Sequence, residues 1–395
     1  MAPHSSVFDE FERRDPSPAS HAETSAAFLN RIAGSYWDQV RELVDDWATQ
    51  LPGDARRDVV ARLRSSFDRQ SAAAFWELYL HKTFVEAGFT VEIHPSVPTG
   101  TRPPDFRVTR GSERFYVEAT CIFGSDINAG ATARRQQVYD AINRIESPNF
   151  FLAIDVKEIG AQALPTTRLR RELEGWLSAL DPDAVELALG DNPRGERFDW
   201  KERGWKLAFR PIPVRADSRG QANHRVLGVF GPGEAQWLDD VSVLRGTIRS
   251  KGSAYGALDL PLVVAVNVAT AFHDEEDTLG ALFGTWKIQF EVGDPDSARS
   301  VRARDGYWGS PGEWKHRHLA GLLLAHNVAP WRVTQEIPTL WLHPDPIDPV
   351  KALGVWRTSR LDGTHIERLE PYAELGDHFG LPEQWPDGEP FPRNE

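Results

Sequence analysis

Several things are scarce in this chain of 395 residues. It holds a single cysteine, Cys121, which excludes an intramolecular disulfide and any cysteine-based zinc cluster and fits a reducing cytoplasm. Basic residues are outnumbered: 45 Lys and Arg stand against 58 Asp and Glu, a net charge of −13. That balance argues against a surface that grips nucleic acid over a wide area, because such binding rests on many contacts to phosphate. A local basic cleft stays open. No apolar run is long enough for a bilayer. The longest, Leu258 to Phe272, falls short of the ~20 residues a span needs, and Asp259 and Asn267 interrupt it. Residues Met1 to Thr24 have no apolar segment of the secretory kind and read as a mobile polar tail. No internal repeat of fixed period is present.

What is present is a 41% share of hydrophobic residues, enough for a sizeable core. Its spacing predicts an α/β fold, a mixed sheet flanked by helices, with an N-terminal helical arm and a C-terminal α/β extension. Residues 25–70 are the arm: Phe28, Ile32, Tyr36, Val40 and Val44 recur at helical spacing, as do Val59, Val60, Leu63 and Phe67. Leu51-Pro52-Gly53-Asp54 separates the two stripes. Residues 71–160 form the next unit. A helix runs to Ala87 and stops at Gly88. Strands are expected at 89–94, 105–109 and 114–121, the last two as a hairpin, then a helix at 131–145 and a buried strand at 149–156. Residues 161–343 continue as α/β, and a helix at 239–255 leading into the strand Leu260 to Val268 is expected to extend the same sheet. Residues 344–395, dense in Pro and Asp, read as extended wrapping.

Three carboxylates stand out. Alternate residues of a strand share a face, so Tyr116, Glu118 and Thr120 lie on one side and Phe115, Val117 and Ala119 on the other. Glu118 sits in an otherwise apolar strand, where a carboxylate is costly unless paired, protonated or metal-bound. Asp105 opens the neighbouring strand behind Pro103-Pro104, where proline blocks ladder pairing and the sheet frays. Two carboxylates on adjacent strands suit a hard cation such as Mg²⁺ or Mn²⁺, which prefers oxygen ligands. Glu77 is the third, on the preceding helix between Trp76 and Leu78.

The ordered set Phe75-Trp76-Glu77-Leu78-Tyr79-Leu80, Gly88-Phe89, Pro104-Asp105-Phe106 and Tyr116-Val117-Glu118-Ala119-Thr120 resembles the core of the PD-(D/E)xK, or restriction-endonuclease-like, nucleases. The resemblance spans about 72–156. It implies that Glu77, Asp105 and Glu118 hold Mg²⁺ or Mn²⁺, and that a lysine two positions after Glu118 orients the attacking water. That position is Thr120, whose neutral hydroxyl supplies no positive charge. In the superfamily the lysine sometimes comes from another element. Lys82, Lys157 and Lys251 are the candidates, and Lys251 is favoured because its helix leads into the buried strand at 260–268. Gln136 (or Gln137) and Tyr139 on the next helix, with Arg134, take the substrate-binding positions.

The leading function implied is a Mg²⁺-dependent phosphodiesterase acting on nucleic acid, DNA in the first place, in the cytoplasm, with restriction or phage defence as the family's habit. The alternative is an inactive nuclease-fold protein serving as a nucleic-acid- or protein-binding module. Each residue also has a plainer reading: Glu77 as a surface residue, Asp105 as a turn cap, Glu118 as the partner of Arg107 or Arg134 in a structural ion pair. His273-Asp274-Glu275-Glu276-Asp277 reads as a charged loop before a metal site. Lys315-His316-Arg317-His318 reads as a solvated basic patch before a phosphate site. A different hydrolase centred on either is the third hypothesis. Gly231-Pro232-Gly233 lacks the setting of a phosphate loop. Cys121 and the 14 tryptophans read as core.

Overall fold

The computed structural model describes every residue except 1–5, 99–101, 124–128, 192–195, 221–224, 231–239, 270–272, 292–293, 364 and 392–395. Gly231-Pro232-Gly233 therefore lies outside the described residues. The chain separates into two compact units. One comprises Met1–Pro18, Thr24–Gly124 and Asp239–Glu395, the other Ala19–Glu23 and Ser125–Leu238.

In the first unit, helices α1 (Ser25–Arg31), α2 (Ser35–Thr49) and α3 (Gly53–Leu63) form where the apolar stripes lie. Pro52 caps the start of α3, a place where its missing N–H costs nothing. Helix α4 (Asp68–Glu86) follows. Gly88 ends it at φ +80°, a left-handed conformation in which a Cβ would be strained. Trp47 of α2 stacks on Phe75 and meets Tyr79 of α4, so these helices are part of the unit's core and not a separate arm. The expected mobile tail is also corrected over its described part. Val7 and Phe8 are buried, and the Val7 amide donates to Asp45 Oδ1 at 2.6 Å. Two apolar residues in a polar stretch are enough to anchor it.

Strands β1 (Thr90–Ile93), β2 (Phe106–Arg110) and β3 (Glu113–Phe123) form an antiparallel meander. The alternation holds. Phe115 packs against Phe84 and Phe89 on the α4 side, while Tyr116 and Ile122 belong to the cluster on the opposite face. Trp76 fixes α4 to the sheet, its Nε1 donating to the Ala265 carbonyl at 3.1 Å.

The second unit contains α5 (Ala129–Ile142), β4 (Phe150–Glu158), α6 (Thr166–Ser178), α7 (Pro182–Asp191), β5 (Phe198–Glu202), β6 (Trp205–Pro213) and β7 (Leu227–Phe230). Its four strands are ordered β5-β6-β4-β7. This corrects the expectation that 149–156 shares one unit, 71–160, with the β2–β3 hairpin. Phe150, Leu152 and Ile154 pack with Leu169, Leu173 and Phe209, and β4 hydrogen-bonds to β6 and β7. An apolar strand pattern reports burial without reporting which sheet buries it.

The chain then re-enters the first unit with α8 (Asp240–Gly252), β8 (Leu262–Ala269) and α9 (Glu275–Phe283). Next come β9 (Trp286–Glu291), β10 (Asp294–Arg302), β11 (Gly309–Ser310), β12 (Glu313–Trp314) and β13 (Leu319–His326). Last are β14 (Thr339–Leu342), β15 (Arg357–Asp362), β16 (His365–Leu369) and α10 (Leu375–Phe379). The main sheet has eight strands in the order β1-β2-β3-β8-β13-β14-β15-β16. It is mixed: β8 lies parallel to both β3 and β13, while β13–β14 and β15–β16 are antiparallel. The fold is thus α/β with a large mixed sheet flanked by helices, and the α8–β8 pair extends the sheet of the β2–β3 hairpin as expected. The wrapping expected from 344 onward is corrected, because β15 and β16 finish the sheet. Charges such as Arg360, Glu367 and Arg368 on these outermost strands mask a strand pattern, as edge strands often do. Among the described residues, no helix is long and apolar enough to cross a membrane.

Candidate active site

Three elements of the first unit meet at Glu118. The residue lies mid-way along β3 and is 1% exposed. Its neighbour β8 runs parallel, with Glu118 opposite Val264, so the carboxylate has no polar partner within the sheet. Helix α8 provides one. Lys251, in its last turn, donates from Nζ to Glu118 Oε1 at 2.7 Å. Just beyond the helix, the Tyr255 hydroxyl donates to Glu118 Oε2. Arg102, an exposed side chain, stands 3.8 Å from Glu118 Oε1. The plainer reading of Glu118 as partner of Arg107 or Arg134 is corrected, since Arg107 pairs with Glu92 across β1–β2 and Arg134 donates to the Gly160 carbonyl in the second unit.

Asp105 stands where β2 begins. The last backbone pair of β2 with β3 is Phe106 with Val117, and Pro103-Pro104 stop the ladder from continuing. The side chain takes over: Asp105 Oδ2 accepts from the Ala119 amide at 2.7 Å. Its other oxygen, Oδ1, receives no hydrogen bond from any described residue. Burial first, then the nearby charges of Glu118 and Glu77, push the Asp105 pKa up to about 8. The Ala119 amide and Lys251 oppose that rise without cancelling it. A carboxylate with one free oxygen, held beside a second carboxylate at a cost, is the donor set a divalent cation or a proton relieves.

Glu77 departs from expectation. Arg62 of α3 holds it in a bidentate pair at 2.7 and 2.6 Å, the geometry in which Arg binds carboxylate best. Glu77, Asp105 and Glu118 do not bring three ligand atoms within 4.8 Å of one another. The metal role of Glu77 is therefore corrected: its charge acts on Asp105 from a distance while Arg62 neutralises it. The remaining pair, Asp105 and Glu118, still fits Mg²⁺, which is commonly held by one or two carboxylates and completes its shell with water.

Among the three candidate lysines the structure is selective. Lys82 donates to Gln50 Oε1 at 3.1 Å and pairs with Glu86, so its ammonium is committed elsewhere. Lys157 is an exposed residue of β4 in the second unit. Lys251 alone of the three contacts one of these carboxylates. Thr120 is half-buried on β3, opposite Val266. Arg134, Gln136 and Tyr139 belong to α5 in the second unit. There Tyr139 meets the His21 ring edge-on at 5.3 Å, and burial raises its pKa.

Two residues escaped the sequence reading. Tyr255 follows a helix end with nothing in its spacing to mark it, and its burial and its bond to Glu118 raise its pKa. Arg102 lies in a Pro-rich turn that carries no periodicity. Cys121 is half-buried at the wall of an apolar cavity, which corrects its reading as core, and its thiol is pushed up to about 12 by burial and by Glu77. The His316 segment is brought beside the site. His318 Nε2 and the Gly252 carbonyl are 2.9 Å apart, and the His316 ring stacks on Tyr307 at 4.1 Å. Burial first, then the charges of His318, Arg249 and Lys315, lower the His316 pKa. Arg249, Lys315 and His316 are exposed, so a basic strip borders the last turn of α8, next to Lys251. An apolar cavity lined by Val7, Phe8, Leu29, Phe75 and Trp331 contains none of Glu77, Asp105, Glu118 or Lys251. Compared with known proteins, the chain matches no family model, no curated protein and no solved structure.

Proposed function

We propose that this protein is a Mg²⁺- or Mn²⁺-dependent phosphodiesterase acting on nucleic acid, DNA in the first place, built on a restriction-endonuclease-like core in which the catalytic lysine comes from α8. The observation that carries this reading is the Lys251 bond to Glu118. It supplies, from a different element, the positive charge that Thr120 cannot. The order α4, β1, β2, β3, α8, β8, with the second unit inserted between β3 and α8, supports the same reading. Asp105 and Glu118 are the metal ligands. Such an ion, when bound, activates a water molecule and neutralises charge on the phosphate. Lys251 holds the carboxylate and offers a cation to the phosphate oxygens in the transition state. Tyr255 fixes the second oxygen of Glu118, so the carboxylate cannot rotate away. Cleavage of single-stranded DNA, duplex DNA and RNA with and without Mn²⁺ tests the proposal, with Asp105→Asn as control. Equal activity in the two proteins would sink it.

In this reading the basic strip of Arg249 and Lys315, beside His316, meets the substrate backbone. The expected result is that the double variant Arg249→Ala, Lys315→Ala binds DNA more weakly by a similar factor whatever the sequence. The slope of log K against log salt should fall by about 2, since each phosphate contact contributes roughly 0.9. Fluorescence anisotropy at 50–200 mM salt checks it, and an unchanged slope removes the strip from the interface.

A second reading is favoured by a specific observation. Both oxygens of Glu118 are already hydrogen-bonded, and Arg62 neutralises Glu77, so much of the cluster is satisfied without a cation. An inactive binding module on the same scaffold would look the same at those two residues. It would bind DNA with the same salt dependence and cleave none.

A further inference from the structure

We propose that Asp240, His273 and Asp277 form a second metal site, separate from the Asp105–Glu118 pair, that takes a divalent transition-metal ion with Zn²⁺ as its best fit. One ligand atom from each of the three residues lies within 4.8 Å of the others. Around one zinc, with bonds of about 2.0–2.2 Å, ligand atoms stand about 3–3.5 Å apart, so small side-chain rotations close the set.

The second observation is the buried imidazole. The His273 side chain is 2% exposed. Its Nε2 stands 2.9 Å from Thr278 Oγ1, and Thr278 Oγ1 gives its own hydrogen to the Asp274 carbonyl at 3.4 Å. With the ring proton on Nε2, donated to Thr278 Oγ1, Nδ1 carries a lone pair. That nitrogen makes no hydrogen bond to any described residue, and Asp277 Oδ2 stands 4.0 Å from it, too far to bond. A ring nitrogen thus stands 4.0 Å from a carboxylate oxygen without bonding to it, a spacing that a cation between them would close. A ring nitrogen that donates its other N–H to a fixed oxygen is also the usual form of a metal-bound histidine.

The local scaffold is firm. Asp274 and Asp277 close a capping box at the start of α9: the Asp277 amide donates to Asp274 Oδ1 and the Asp274 amide to Asp277 Oδ2, each at 3.0 Å. Asp277 Oδ2 keeps a lone pair for a metal. The His326 ring packs on His273 with centroids 5.4 Å apart. Asp240 is the first residue of α8, so the ion would tie the start of α8 to the start of α9. Imidazole suits Zn²⁺ and its neighbours, whereas Mg²⁺ prefers all-oxygen sites. The two sites should therefore select different ions.

The test is calorimetric titration of Zn²⁺ into the full-length, EDTA-treated protein carrying Asp105→Asn, which disables the first site. One Zn²⁺ per chain is expected, undisturbed by millimolar Mg²⁺. His273→Ala and Asp240→Asn should each weaken Zn²⁺ about 100-fold or more, beyond the 10–100-fold typical of residues that merely support ligands. Co²⁺ should give a visible absorption band that His273→Ala abolishes. Asp240→Asn keeps the side-chain shape and removes only the charge, so it decides the matter even where His273→Ala does not fold. No Zn²⁺ binding at micromolar concentration, or wild-type affinity in Asp240→Asn, overturns the proposal.

Discussion

Replacing Lys251 with methionine should lower metal-dependent cleavage by about 10²–10³-fold, the usual loss when one preorganised group facing transition-state charge is removed. Methionine keeps the apolar stem and deletes the charge. The same change should destabilise the metal-free protein, because Glu118 is 1% exposed and would keep only the Tyr255 hydroxyl and the more distant Arg102. Breaking a buried pair by removing one partner costs about 3–5 kcal/mol. The site reading adds a condition that a structural ion pair does not. In Mn²⁺ the ion takes over the task of balancing Glu118, so much of the lost stability should return. Urea denaturation in EDTA and in Mn²⁺ separates the two cases: recovery in Mn²⁺ supports a ligand, and an equal loss in both buffers supports a purely structural carboxylate. Glu118→Gln is the less informative change, since it leaves the Lys251 ammonium without its carboxylate under either reading.

The second large effect concerns pH. Asp105 ordinarily titrates at 3.8, and in the folded chain it is pushed up to about 8. A carboxyl whose pKa is raised on folding binds its proton more tightly in the native state. Its contribution to stability is full below the ordinary value and is lost as pH rises towards the folded value. In EDTA the wild type should therefore lose stability between about pH 4 and pH 8, at up to about 1.4 kcal/mol per pH unit. Asp105→Asn should show a flatter profile across that window. Metal affinity carries the complementary signature: the ligand must shed its proton, so Mn²⁺ affinity should rise by up to tenfold per pH unit towards pH 8 and then level off. Denaturation midpoints and calorimetry across that range check both. Parallel profiles for the two proteins would mean that Asp105 is not the strained group.

Much of this architecture was legible because it is local. Helix α4 and its stop at Gly88, the β2–β3 hairpin and the α8–β8 pair follow from spacing, turn residues and alternation, and they fall close to the expected limits. The meeting of Lys251 with Glu118 was legible as well, since a helix that feeds a buried strand of the same sheet can carry its last turn to the neighbouring strand. What stayed hidden is non-local. Strand β4 has the apolar pattern of a core strand, and nothing in Phe150-Phe151-Leu152 says that its partners are β6 and β7. Arg62 lies one helix away from Glu77, and the bidentate geometry that disarms this glutamate depends on how α3 packs on α4. Tyr255 became visible only when the end of α8 was seen against β3. His273 looked like part of a charged loop because its burial comes from packing, with α9 on one side and His326 on the other.

The most direct test of the central claim is a single-turnover cleavage assay on duplex DNA in Mn²⁺, run on wild type, Asp105→Asn and Lys251→Met at a temperature where all three remain folded. The account predicts cleavage by the wild type that stops when EDTA is added, and losses of about 10²-fold or more in both variants. Wild-type rates in either variant, or no cleavage of DNA or RNA by the wild type in Mg²⁺ or Mn²⁺, would contradict it.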